Sequence, residues 1–141
     1  MREVTISQGL TMWTARHGDG GLHAWLHFDV DEPFEVELEL LLDGSTFVSW
    51  VFDRSLLARG AEEPAGEGRV RIAPHVVPGF LLLELYLAGE GAEPIRCSAS
   101  ALVIADFVAR THVAAPLELA EGLAAVELED FLVGLLGEGA A

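Results

Sequence analysis

The sequence predicts an α+β fold, with largely antiparallel β-sheets and helices packed on them. Residues 22–40 alternate apolar and polar side chains with a period close to two, the signature of half-buried strands. Asp43-Gly44 and Gly89-Glu90-Gly91 stand between apolar runs, where hairpins close. Leu128, Phe131, Leu132, Leu135 and Leu136 fall at i, i+3, i+4, i+7 and i+8, one apolar helical stripe. The implied order is ββββ-α-βββ-αα, a strand-rich chain with segregated helices.

In chain order, residues 3–16 alternate loosely and form a first strand, followed by a turn at Gly18-Asp19-Gly20-Gly21. The next strand places Leu22, Ala24, Leu26 and Phe28 on one face and His23, Trp25 and His27 on the other. After the Asp31-Glu32-Pro33 corner, Phe34, Val36, Leu38 and Leu40 alternate with Glu35, Glu37 and Glu39. With Phe28 opposite Phe34, His27 faces Glu35, Trp25 faces Glu37 and His23 faces Glu39. A slip by two would keep the faces and change the partners.

Strand 46–52 then meets Asp53, a good N-cap for a short helix carrying Leu56 and Leu57, with Gly60 as its stop. A loop punctuated by Pro64, Gly66 and Gly68 feeds strand 69–73, whose outward face carries Arg69 and Arg71. Residues 80–88 and 95–98 form another hairpin, and Ser100 caps a helix to about Arg110 with Asp106 and Arg110 on its wet side. Residues 113–125 read as a loose linker before the terminal helix, about 127–136. All of this suits one domain over 1–141.

Composition narrows the function classes. The net charge is −15, every basic side chain is an arginine, and there is neither lysine nor asparagine. Such acidity repels polyanions and anionic head groups. No apolar leader follows Met1-Arg2-Glu3, and Glu84 and Asp106 break the longest apolar runs well short of the roughly 20 residues of a membrane span. Cys97 is the single cysteine, alternating with Ile95 and Ala99 as a small buried hydrophobe would. The expected compartment is the cytoplasm.

The stretch from residue 50 to 74 is the most distinctive. It reads Trp50-Val51-Phe52-Asp53-Arg54-Ser55-Leu56-Leu57, then Pro64, Gly66, Gly68 and Val70-Arg71-Ile72-Ala73-Pro74. It resembles the signature of the SsgA-like family of sporulation and cell division proteins: a W-V-F strand end, an Arg and a Leu-Leu pair on a short helix, then P-x-G-x-G-x-V-R and a Pro. Asp31-Glu32-Pro33-Phe34 matches the family's corner upstream. Phe107, Thr111, Pro116 and Glu118 follow its helix-then-Pro pattern downstream, and Leu128 to Leu136 its terminal helix. Ala73 stands where the family pattern carries an aromatic, and Leu117-Glu118-Leu119 lacks its glycine.

The resemblance, strongest to SsgB-like members, implies a whirly-like fold, the architecture of single-stranded nucleic-acid-binding proteins. It also implies a non-enzymatic actinomycete adaptor at the division septum. Such a protein recruits the tubulin-like FtsZ, promotes its polymerisation, and works with an SsgA-like paralogue. Membrane association would be only indirect. No cofactor or metal is implied.

Several side chains bear on that expectation. On a strand, His23 and His27 lie about 13 Å apart, too far to share a metal ion. The two Gly-Glu-Gly triplets lack phosphate-loop glycines and end in no Lys-Ser/Thr pair. No nucleophile elbow or comparable catalytic motif occurs. Glu84, in an apolar strand with Phe80, Leu82 and Tyr86 on its side, reads as a solvent or interface residue, with a raised-pKa acid as the alternative. The candidate partner-binding residues are Trp50, Phe52, Arg54, Leu56, Leu57, Arg69 and Arg71. For the apolar members a packed core is the competing reading, and Arg54 is the member expected to be exposed. The three arginines are too few for a nucleic-acid patch, leaving either a salt-bridged partner surface or ordinary surface pairing. Strand 80–88, apolar on both faces, needs two covers. The second is expected to come from a homo-oligomer, a trimer by family resemblance. The alternative functions are a single-stranded nucleic-acid-binding domain, on fold analogy alone, and a ligand-binding or enzymatic domain around Glu84.

Overall fold

The computed structural model describes residues 5–14, 21–88 and 93–116. Strands β1 (Thr5–Met12), β2 (Leu22–Asp29), β3 (Glu35–Leu41) and β4 (Phe47–Asp53) form one antiparallel sheet in chain order. Helix α1 (Ser55–Glu62) leads to a second antiparallel sheet, again in chain order. It comprises β5 (Ala65–Glu67), β6 (Val70–Pro74), β7 (Phe80–Leu85) and β8 (Ile95–Ser100), and α2 (Ala101–Ala114) follows. The order ββββα occurs twice, and the predicted α+β class holds. The predicted turns at 18–21 and 89–91 and the predicted terminal helix at about 127–136 lie wholly or largely outside the described residues.

Period-two patterning sets each strand's buried face. Leu22, Ala24, Leu26 and Phe28 point inward from β2, Val36, Leu38 and Leu40 from β3, and Trp50 and Phe52 from β4. Val70, Ile72, Leu81, Leu83, Leu85, Cys97 and Ala99 do so from the second sheet. With Leu56, Leu57, Ile104 and Phe107 from the helices they form a shared core. Trp50 ties the sheets together: its indole Nε1–H donates to the Tyr86 carbonyl at 2.9 Å. Trp13 adds a second tie, exchanging backbone hydrogen bonds with Ser98 at 3.0 and 2.8 Å.

The β2–β3 register differs from the expectation by two residues. Trp25 faces Glu39 and His27 faces Glu37, in place of Glu37 and Glu35. The turn explains the shift. Glu32 N–H bonds Asp29 C=O and Glu35 N–H bonds Glu32 C=O, so residues 30–34 are spent on the corner and Phe34 is left outside β3. Both sheet faces survive, as a shift by an even number requires.

Helix α1 does not stop at Gly60 but runs to Glu62. Gly60 is instead a point of contact: a Cβ there would fall 2.5 Å from Cβ and Cγ2 of Ile72. Asp53 does act at the helix start, its Oδ1 accepting from the Ser55 N–H and from the Ser55 hydroxyl, both at 2.7 Å. Those bonds hold its carboxyl below the usual range. Ser100 caps α2 as predicted, accepting from Val103 N–H at 3.3 Å. The helix continues past Arg110 to Ala114, so residues 113 and 114 belong to it and not to a linker. Asp106 and Arg110 pair on its exposed side at 3.1 Å.

Candidate functional site

The predicted partner surface separates into two parts. Trp50, Phe52, Leu56 and Leu57 are buried, so the packed-core reading holds for all four. Their apolar alternation on β4 and their positions on the inner side of α1 serve the shared core. Arg69 and Arg71 are exposed at and beside the start of β6.

Arg54, the residue expected to be exposed, is buried, with 3% of its surface accessible. Asp53 turns the chain from β4 into α1, and Arg54 enters the space under the β2–β3 corner. Its Nη1 donates to the Pro33 carbonyl at 3.1 Å, and Nη2 lies 3.4 Å from His112 Nδ1. The guanidinium carbon sits 4.9 Å from the Phe28 ring centroid, a cation–π distance. Burial lowers its pKa from the ordinary arginine value, and Nε has no hydrogen-bond partner. No described carboxylate makes an ion pair with it. The three arginines therefore make no common patch. The contacts holding Arg54 come from residues 28, 33 and 112, so no local pattern around Asp53 announces its burial.

On the second sheet, Arg71, Glu84 and Arg96 lie side by side across β6, β7 and β8. Arg96 Nε donates to Glu84 Oε2 at 2.8 Å, and this bond raises the Arg96 pKa. Glu84 is thus an ion-paired residue of the outer face. Above this row, Phe80 meets the Trp13 ring edge-on at a centroid distance of 6.0 Å. Part of the cover over β7's second face is therefore intrachain. Trp13, His75, Val77, Phe80 and Ser98 line an apolar groove of about 250 Å³ there.

The outer face of the first sheet has a different chemistry. Glu35, Glu37 and Glu39 project from β3, beside Asp29 of β2 and Asp53 of β4. His27 Nε2 is 3.3 Å from Glu39 Oε1, and its Nδ1 is 2.7 Å from the Ser7 hydroxyl. A cleft of about 470 Å³ runs past His27, Asp29, Glu32, Glu35, Glu37 and Val51. Beside this acidic surface Trp25 is half-buried, with its ring 5.9 Å from that of Phe47. Phe47 and Val51 are 53% and 59% exposed. Sequence alternation puts Trp25 on the face opposite Leu22, Ala24, Leu26 and Phe28, but the apolar run from Phe47 to Phe52 shows neither which of its side chains face outward nor that β4 is the sheet's edge.

Among the described residues, no group of three or more His, Cys, Asp and Glu side chains is placed to hold a metal ion. None of their helices is long and apolar enough to cross a membrane. The arrangement offers two exposed surfaces, one acidic with an apolar margin and one an apolar groove. Both suit macromolecular contact.

Comparison with known proteins bears on what such contact serves. Residues 22–119 match the SsgA family, described as Streptomyces sporulation and cell division protein, SsgA. A sporulation-specific cell division protein of Frankia casuarinae is 37% identical over 91 residues, 64% of this chain and 61% of that protein. SsgB of Streptomyces coelicolor is 32% identical over 93 residues, 66% of this chain and 67% of that one. The matches thus span about two thirds of these relatives' length. A solved SsgB structure from Streptomyces coelicolor superposes with a TM-score of 0.68 at 26% identity, covering 84% of this chain and 93% of that one. An SsgA-like protein of Thermobifida fusca shares the fold with a TM-score of 0.69 at 24% identity, covering 91% and 93%. The motif at Trp50–Pro74, the doubled ββββα order and these similarities agree: the chain belongs to the SsgA family of sporulation and cell division proteins.

Proposed function

We propose that this chain is a non-enzymatic, sporulation-specific cell division regulator. In this reading it recruits FtsZ to future septum sites and promotes its polymerisation, together with an SsgA-like paralogue. The observation that carries the reading is the family match over residues 22–119, supported by relatives named as sporulation-specific cell division proteins. The protein would act in the cytoplasm at the septum, as a homo-oligomer with a trimer favoured. Several weak contacts from one oligomer gain avidity on a polymer. Membrane contact would be indirect, because a surface of net charge −15 opposes anionic lipid.

Nucleic-acid binding fits poorly. Such domains present basic grooves with aromatic platforms, whereas the open face of the first sheet carries the Glu35–Glu37–Glu39 row and no arginine.

Co-sedimentation with assembled FtsZ from a sporulating actinomycete tests the reading, beside a single-stranded DNA shift. Saturable pelleting and longer filaments without a DNA shift are the expected result. Salt-sensitive DNA retention without pelleting would overturn it in favour of the nucleic-acid reading. Arg54→Glu is unsuitable as the surface control, since Arg54 is buried; exposed Phe47 and Val51 take its place.

A further inference from the structure

Strand β4 ends the first sheet, pairing with β3 on one side only. The phase of that pairing decides which of its backbone groups remain open. At one end Arg54 N–H donates to Phe34 C=O at 2.8 Å, and at the other Leu42 N–H donates to Thr46 C=O at 2.8 Å. In an antiparallel ladder bonded pairs alternate with non-bonded ones. Val48, Trp50 and Phe52, opposite Leu40, Leu38 and Val36, therefore bond to β3. Phe47, Ser49, Val51 and Asp53 turn their N–H and C=O groups to the other side. The Asp53 N–H is already taken, at 2.6 Å, by the carboxylate of Glu67. Among the described residues the N–H groups of Phe47, Ser49 and Val51 remain, an open edge with the spacing of one extended strand.

Natural sheets protect such edges with lysine, proline, inward charge or a bulge. From Phe47 to Phe52 this strand has none of these, and its register with β3 is unbroken. Its outward side chains Phe47 and Val51 are more than half exposed.

The neighbouring charges define what would pair there. None of the four strands of this sheet carries an arginine, while Glu37 stands opposite Val51 and Glu39 opposite Ser49. The acidic cleft reaches Val51 itself. A strand added to β4 would lie about 4.8 Å from it and two spacings, about 10 Å, from β3. A long basic side chain on the added strand spans that distance over the short Ser49.

We propose that the open edge of β4, at Phe47, Ser49 and Val51, docks an extended segment of a partner protein in which basic and apolar side chains alternate. The segment adds as a fifth strand of the sheet: main-chain bonds supply the pairing, and the glutamate row selects for positive charge. A second copy of this chain is a poor occupant, because its own β4 edge would bring the same acidic row against this one.

Amide hydrogen exchange, read residue by residue with a short arginine–valine alternating peptide as the probe, tests this. In the free protein Val48, Trp50 and Phe52 are protected, and Phe47, Ser49 and Val51 exchange fast. Added peptide should slow those three amides by about tenfold or more, and an aspartate–valine peptide should not. Ser49→Pro, which removes a central edge donor and no β3 bond, should abolish the effect, as should Val51→Lys. Leu102→Lys on the exposed side of α2 should leave it intact. Three unchanged amides at saturating arginine–valine peptide would overturn the proposal. So would protection of the same amides in peptide-free protein that vanishes on dilution, since the edge would then be a self-association surface. Failure here and failure of the adaptor reading are distinguishable: FtsZ can pellet the protein without this edge, and the edge can pair without FtsZ.

Discussion

Arg54 and Phe28 are packed face to charge in the interior, the guanidinium carbon 4.9 Å from the ring centroid and the arginine only 3% exposed. A buried cation persists where its donors are bonded and its charge is compensated. Here the Pro33 carbonyl, His112 Nδ1 and the ring face do most of that work, leaving Nε without a partner, and they bind the β2–β3 corner to the end of α2. Arg54→Glu would aim a carboxylate at the Pro33 carbonyl and the negative face of the ring. It should cost at least about 3 kcal/mol in denaturant unfolding. Arg54→Met, which keeps an apolar stem over Phe28 and leaves one carbonyl unpaired, should cost about 1–3 kcal/mol. A charge reversal within about 0.5 kcal/mol of the parent, the usual range for a surface site, would show the side chain to be free.

Gly60 gives a prediction of opposite sign from helix propensity. Glycine to alanine in a helix interior ordinarily gains about 0.5–1 kcal/mol. At Gly60 the new methyl would meet Ile72 at 2.5 Å and its carbonyl oxygen at 2.9 Å. Neither the backbone of β6 nor a β-branched Cβ gives way cheaply. Gly60→Ala should therefore destabilise by about 1–3 kcal/mol, read as a lowered thermal midpoint. A raised midpoint would mean that α1 sits farther from β6.

Which of these features could be read from the sequence depends on how local their causes are. Inward and outward faces of β2 and β3 follow from side-chain alternation, whereas β4 and β7, apolar on both faces, take theirs from packing; the Ser100 cap and the Asp106–Arg110 pair follow from short-range rules. Strand β5 escaped because Ala65-Gly66-Glu67 is too short to alternate and owes its extension to pairing with β6. The β2–β3 register was ambiguous because a shift by two preserves every face. Gly60 has two local meanings, helix stop or close contact, and only Ile72, twelve positions on, decides between them. For the candidate surface, family motif and exposure diverge: Trp50, Phe52, Arg54, Leu56 and Leu57 mark the family by building its core, while the open edge lies at the neighbouring odd-numbered positions of β4.

Asp53 should make stability depend on acid. Its folded pKa is lowered by the hydroxyl and N–H of Ser55, so its contribution is present above the unfolded value of about 3.9 and fades as pH falls through the folded one. Asp53→Ala should cost about 1 kcal/mol near neutrality, the usual worth of a cap. The gap between parent and variant should narrow as the pH drops below about 4. Paired denaturant melts across that range check it, and a gap independent of pH would assign the loss to packing and not to the ionised cap.

Cys97 reports whether the second sheet opens. The thiol is buried opposite Leu83, and burial pushes its pKa up to about 11. The thiolate is the reactive form, so at pH 8 only about one thiol in a thousand would be ionised even before access is considered. Alkylation of the native protein should be slower than in denaturant by at least about two orders of magnitude, with a rate that tracks global unfolding as denaturant is added. Cys97→Ser, which buries a hydroxyl among Leu83 and its apolar neighbours, should cost about 1–3 kcal/mol. Fast labelling without loss of the global fold would mean that β8 detaches from β7 on its own. The Trp13–Ser98 bridge, which joins β8 to the first sheet, would then be the contact to test next, because its loss would release the same edge.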